Sequence, residues 1–120
     1  MAAPNIVNVA TITGHTTAGS LTTSNQAFVT CSSEYVYKIN SCYVSNIDGT
    51  NTATCIVYFY DAGSTNRFPI VKNIPVPPGT SLQVIGKDAP IYLEEGDKIE
   101  GEASANSDLQ MIVSFEAITD

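Results

Sequence analysis

Apolar positions in this chain recur at alternate residues in short runs, and no segment holds the i, i+3, i+4, i+7 stripe of an amphipathic helix over three turns. The spacing therefore predicts an all-β chain. In KIEGEAS (98–104), Ile99, Gly101 and Ala103 alternate with Lys98, Glu100 and Glu102. In LQMIVSFEAI (109–118), Leu109, Met111, Val113 and Phe115 point inward and Gln110, Ser114 and Glu116 outward. SLQVIGK (81–87) sets Leu82 and Val84 inward, and IYL (91–93) is a short strand. NIVNVATIT (5–13) alternates more loosely and leads, through a polar connector bracketed by Gly14 and Gly19, into LTTSNQAFVTCS. The two longest β-prone runs are YVYKINSCYVSNI (35–47) and TATCIVYFYDA (52–62). In the second, Cys55, Val57 and Phe59 share one face and Ile56, Tyr58 and Tyr60 the other. Both faces are apolar, which predicts a strand covered on both sides.

The connections carry turn chemistry. Asp48-Gly49 between the two long runs is a strong turn signal, because glycine adopts positive φ freely and aspartate bonds its own backbone; it predicts that 35–47 and 52–62 form a central hairpin. AGSTN (62–66) is another turn and RFPIVKNI another strand. PVPPGT (75–80) holds three prolines within four positions, which marks a sheet edge or a crossing between sheets. About eight to ten short strands at this spacing predict two packed sheets. The expected fold is a jelly-roll-like sandwich, with an immunoglobulin-like sandwich as the alternative. The expected organisation is an N-terminal arm or edge strand over 1–14 and a single sandwich domain over 15–120.

Composition fits that picture. A chain of 120 residues that is 43% hydrophobic and 14% charged is long enough for one domain with a core of its own. Five cationic against twelve acidic side chains give a net charge of −7, which repels phosphate backbones and anionic headgroups, so neither nucleic acid nor a membrane surface is an expected partner. The opening residues carry no basic n-region and no apolar run of signal-peptide length. The expectation is a chain made and kept in a cytosol-like compartment unless it leaves as part of something larger.

Candidate chemistry changes little. YLEEGDKI concentrates Glu94, Glu95 and Asp97, but a general acid/base pair needs two carboxylates in different environments converging on a pocket. Consecutive residues of a turn are expected to splay into water, with Gly96 supplying the unusual backbone angle and Asp97 capping it. The spaced acidic pattern of an EF-hand loop is missing, which argues against calcium. His15 is the single histidine, and no G-x-S-x-G elbow presents a serine to it. Cys31, Cys42 and Cys55 cannot all pair within one chain and match no zinc-knuckle spacing; they read as small buried hydrophobes, with a single intrachain disulfide as the alternative. Tyr35, Tyr37, Tyr43, Tyr58, Tyr60 and Tyr92 read as sheet-face or core residues, since no tryptophan accompanies them as a sugar platform. No catalytic, cofactor-binding or metal site is expected, and no enzymatic activity.

APNIVNVATITG, NIDGTNTATCIVYFYDAG and KNIPVPPGTSLQVIGKDAPIYLEEGDKIEGEASANSDLQMIVSFEAI together resemble the small virion structural proteins of tailed bacteriophages, especially those of marine cyanobacteria. That resemblance implies a non-enzymatic, multi-copy protein assembled in the bacterial host cytoplasm and carried on the virion, in contact with the major capsid protein or another virion protein. Within that class the expected role is a capsid decoration or cement protein. The alternative is a neck, tail or fibre component touching host polysaccharide. YLEEGDKIEG is also similar to the closing hairpin of trimeric jelly-roll heads of the tumour necrosis factor and complement C1q families, which implies a homo-oligomer, a trimer favoured.

IVNVATIT holds no charged residue, and its side chains are small or β-branched. A bare strand of this kind invites pairing. Residues 1–14 are therefore expected to be satisfied by another chain, with Ile6, Val7, Val9 and Ile12 supplying the apolar contacts.

Overall fold

A computed structural model describes residues 11–120 of the chain. Nine strands are present among them: β1 (Thr11–Ser20), β2 (Gln26–Thr30), β3 (Val36–Asn46), β4 (Ala53–Asp61), β5 (Asn66–Val76), β6 (Ser81–Ile85), β7 (Ile91–Leu93), β8 (Lys98–Ala103) and β9 (Leu109–Thr119). They form two antiparallel sheets. One runs β1-β9-β3-β6, with β7 also pairing β3, and the other runs β2-β8-β4-β5.

The pairing is nested: β4 with β5, β3 with β6 and β7, β2 with β8, β1 with β9. The chain is thus one long antiparallel hairpin rolled up so that alternate pairs fall in alternate sheets, and the β3–β9 and β4–β8 pairings seal the roll. This is a jelly-roll sandwich, the first of the two folds expected. The tip of the hairpin is the turn after Asp61, where Oδ1 accepts from the Gly63 amide at 3.1 Å, Oδ2 from the Ser64 hydroxyl at 3.0 Å, and Thr65 takes φ 54°.

Two sequence expectations are corrected by this order. The runs 35–47 and 52–62 are not a hairpin: β3 and β4 lie in different sheets, and Asp48-Gly49 turns the chain across the sandwich. Asp48 does bond its own loop, Oδ1 accepting from the Thr50 amide at 2.9 Å, but Gly49 does not take positive φ. Turn chemistry specifies a reversal, whereas pairing is decided by which faces need burial. Cys42 and Val44 on one run and Cys55 and Val57 on the other are all at most 1% exposed, because each sheet buries its set against the opposite sheet. The second correction concerns residues 14–19, which are strand and not a connector, since β1 keeps an unbroken register with β9 from Thr11↔Thr119 to Ser20↔Gln110. The domain boundary expected at residue 14 therefore falls inside β1.

Other expectations hold. The proline-rich bend carries the chain from β5 in one sheet to β6 in the other. Leu109, Met111 and Val113 are fully buried, as are Ile99 and Leu93. Gly101 lets the sheets approach closely, since a Cβ there would stand 2.9 Å from Leu21 Cδ2 and 3.1 Å from Met111 Cε. The cover expected on both faces of β4 is found on one only: Cys55 and Val57 are buried against the opposite sheet, whereas Ile56, Tyr58 and Tyr60 on the outer face are half covered.

Candidate functional site

Because the roll alternates direction, its loops gather at two ends. At one, the turn Glu94–Asp97 is bolted down from three sides. Gly96 holds φ +84°, the angle expected of it, and its amide donates to the Cys31 carbonyl at 3.0 Å. The Asp97 carboxylate is 6% exposed, Oδ2 accepting from the Glu94 amide and Oδ1 from the Ala62 amide, both at 3.0 Å. So Asp97 caps its own turn, as expected, but it does not splay into water: it also ties the tip of the β4–β5 hairpin to the β7–β8 crossing. Glu94 and Glu95 are exposed. The crossing joins β7 in one sheet to β8 in the other, so it is not the two-strand turn that the sequence pattern implied.

At the opposite end the corresponding clasp is Asn46, which sequence reasoning missed. It is 3% exposed, with Oδ1 accepting from the Asp48 amide and Nδ2 donating to the carbonyls of Asn51 and Val76, each at 2.8 Å. The signal was strand parity: Asn46 continues the inward series Cys42, Val44. A buried amide in that series has to hold loops together.

The outer face of the β2-β8-β4-β5 sheet carries a polar network. Glu100 was expected to face solvent, yet it is 4% exposed. Arg67 Nε donates to its Oε1 at 2.8 Å and Asn25 Nδ2 donates to the same oxygen at 3.0 Å. Burial pushes the Glu100 carboxyl up, and the Arg67 and Asn25 hydrogen bonds with the Arg67 and Lys98 charges more than offset it, so its pKa lies below the usual carboxylate value. The Arg67 guanidinium and the Lys98 ammonium both lie over the Tyr60 ring, 5.3 and 5.0 Å from its centroid. These pairings engage Arg67 and Lys98 within the sheet itself.

His15 is exposed on β1 and stacks on Phe115, with centroids 5.4 Å apart and rings 28° from parallel; Phe115 in turn stacks on Tyr37 at 4.8 Å. A shallow groove of about 330 Å³ beside it is lined by Gly14, His15, Thr16, Asn40, Ser114, Phe115 and Glu116. Glu116 pairs across from Gly14 while His15 pairs across from Phe115, so strand alternation sends the imidazole and the carboxylate to opposite faces of the sheet. No acid/base pair is assembled there. Among the described residues, no group of three or more His, Cys, Asp or Glu side chains is placed to hold a metal ion. All three cysteines are unpaired and at most 2% exposed. Burial pushes the thiols of Cys31 and Cys55 up to about 11 and that of Cys42 to about 12. No helix among the described residues is long and apolar enough to cross a membrane.

Of the four residues expected to contact a partner, Ile6, Val7 and Val9 lie outside the described residues. Ile12 lies on β1 and is 57% exposed. β1 itself is an edge strand, paired only with β9 among the described residues. The exposed aromatics Tyr43, Tyr92 and Phe68 sit on β3, β7 and β5, and none enters an aromatic pair among the described residues.

No family model matches the chain, and no curated protein matches it by sequence. Its fold is similar to that of solved assembly proteins. A chain of the Bacillus endospore appendages, described as a novel family of disulfide-linked pili, is 15% identical over 92% of this chain and 88% of that one, with a TM-score of 0.54. A chain of the T13 viral particle of IBDV is 10% identical with a TM-score of 0.53 over 92% of this chain. This chain spans 32% of the length of that one.

Proposed function

We propose that this chain is a non-enzymatic structural subunit of a multi-copy particle, and specifically a decoration or cement protein on the outer shell of a phage capsid. The observation that carries the reading is an acidic jelly roll in which Asp97, Asn46 and Glu100 are spent on clasps and an internal pair, while the edge strand β1 is uncharged and paired on one side only among the described residues. A protein organised in this way has contacts to offer and no assembled chemistry. The net charge of −7 favours the outside of the shell, because a protein lining packaged DNA would meet repulsion. Similarity in fold to a pilus subunit and a viral particle chain supports a role in assembly. The three cysteines here are unpaired and buried, which favours non-covalent contacts over a disulfide linkage of the kind described for the pilus. Within this reading the chain is a homo-oligomer on the particle, the trimer being the form implied by the jelly-roll heads it resembles, and residues 1–14 meet a neighbour through Ile6, Val7, Val9 and Ile12.

A neck, tail or fibre role would need an exposed aromatic cluster to meet host polysaccharide, and Tyr43, Phe68 and Tyr92 are dispersed over separate strands. The test is to add the purified chain to capsid shells that lack it. The expected result is saturable binding to the shell surface and a higher temperature of shell disruption. Binding confined to tails, or none, would contradict the proposal.

A further inference from the structure

The charges of this chain are not spread along it. All seventeen, five cationic and twelve acidic, lie between Glu34 and Asp120, and the first thirty-three residues hold none. Of this neutral stretch, the roll places β1 and β2 on one flank, since β1 is the edge of one sheet and β2 the adjoining edge of the other. Gly19 of β1 lies against Phe28 of β2, a Cβ there standing 3.2 Å from the Phe28 ring, so the two edges are in contact.

Most edges of the sandwich are blunted. β5 carries Arg67, Lys72, Pro69 and Pro75 and slips register twice against β4. β2 has five residues and a register shift, β6 has five and a register shift, and β7 has three. β1 alone among them has ten residues, no charge, no proline and an unbroken register. In an antiparallel edge every second residue turns both its N–H and its C=O away from the sheet, so β1 presents a regular row of backbone donors and acceptors.

We infer that the open edge of β1 is a strand-addition site for a second copy of this chain, which contributes an uncharged strand from its own N-terminal segment, residues 5–10 leading into β1. Charge selects the occupant. Two molecules of net charge −7 repel over most of their surfaces, and the neutral flank is where they approach without that cost. A basic partner would gain nothing there and would settle on the acidic faces. The segment Asn5–Ala10 has no charge and no glycine, holds Ile6, Val7 and Val9, and follows Pro4, whose missing N–H ends a ladder. Each copy can donate its segment and receive its neighbour's, which closes a ring about a threefold axis as readily as a pair about a twofold one. The inference rests on the multi-copy reading above.

The test compares the mass in solution of the full chain, a chain lacking residues 1–10, Ala18→Lys on the exposed β1 edge, and Thr50→Lys in the β3–β4 loop as a control for added charge. Circular dichroism and thermal melting establish that each is folded. At about 100 µM the full chain and Thr50→Lys are expected at twice the monomer mass of 12.7 kDa or more, and the other two as monomers. Amide exchange of alternate β1 residues in the full chain should slow as concentration rises. An Ala18→Lys chain of undiminished mass would overturn the inference, as would β1 exchange independent of concentration. A monomeric full chain that still binds shells would overturn it while leaving the decoration role standing. An oligomer dissociated by Ala18→Lys that binds no shell would support it and sink the decoration role.

Discussion

At the scale of single residues, buried polar groups hold this molecule together and buried thiols set its response to base. Asp97 closes one end of the roll by accepting from two backbone amides, and Asn46 closes the other with three hydrogen bonds to backbone groups. The carboxylates of YLEEGDKI were legible as a turn from Gly96 and Asp97, but the burial of Asp97 was not, because its partner Ala62 is 35 residues away in sequence. Glu100 was misplaced for a similar reason: alternation correctly put it on the outer face, and only the pairing of β4 with both β5 and β8 brings Arg67 over it. The cysteines were legible as buried hydrophobes from their place in apolar runs. Their folded pKa values, about 11 to 12, stand above the ordinary 9.0, so the unfolded chain loses thiol protons first as pH rises. The resulting stability is fully present below pH 9 and falls through the window from there to the folded values, by about 1.4 kcal/mol per pH unit for each thiol. Urea melts at pH 8 and pH 10 should show the loss, and Cys42→Ala should lessen the slope. A thiol reagent should find three groups after denaturation and react slowly before it; fewer than three in the unfolded chain would mean a disulfide.

At the scale of elements, inward positions were readable from period-2 alternation, and strand partners were not. β8 and β9 bury the residues their patterns named, because a strand with one covered face must alternate. β3 and β4 are apolar on the inner face and mixed on the outer one, so the sequence was compatible with a hairpin or with strands in facing sheets, and core formation chose the second. Residues 14–19 of β1 escaped for another reason: the inward positions His15 and Thr17 are polar and Gly19 has no side chain, so no hydrophobic period marks them. The same distinction between turn signal and turn geometry yields a paired prediction. Gly49→Ala should be neutral, since a Cβ there meets nothing within 4 Å and the backbone is ordinary. Gly96→Ala should cost about 1–3 kcal/mol, because φ +84° is strained for alanine and its Cβ would stand 2.9 Å from that of Ala62. Chemical denaturation of the two variants checks both; equal midpoints would contradict the account of the Asp97 clasp.

At the scale of the whole molecule, one feature of the charge distribution joins fold to function. A sandwich of net charge −7 repels its own kind over most of its surface, and its longest stretch without a charged residue runs through β1 and β2 on one flank. That flank also carries the long unblunted edge, so repulsion and hydrogen bonding select the same contact. The central claim, that this jelly roll is a subunit of a particle surface joined to its neighbours along that flank, is tested most directly by electron cryomicroscopy of particles that contain the chain. The predicted result is jelly-roll density on the outer face of the shell, with β1 of each copy paired to a strand of another copy. Density at the tail tip or inside the shell, or copies separated by solvent along β1, would contradict it.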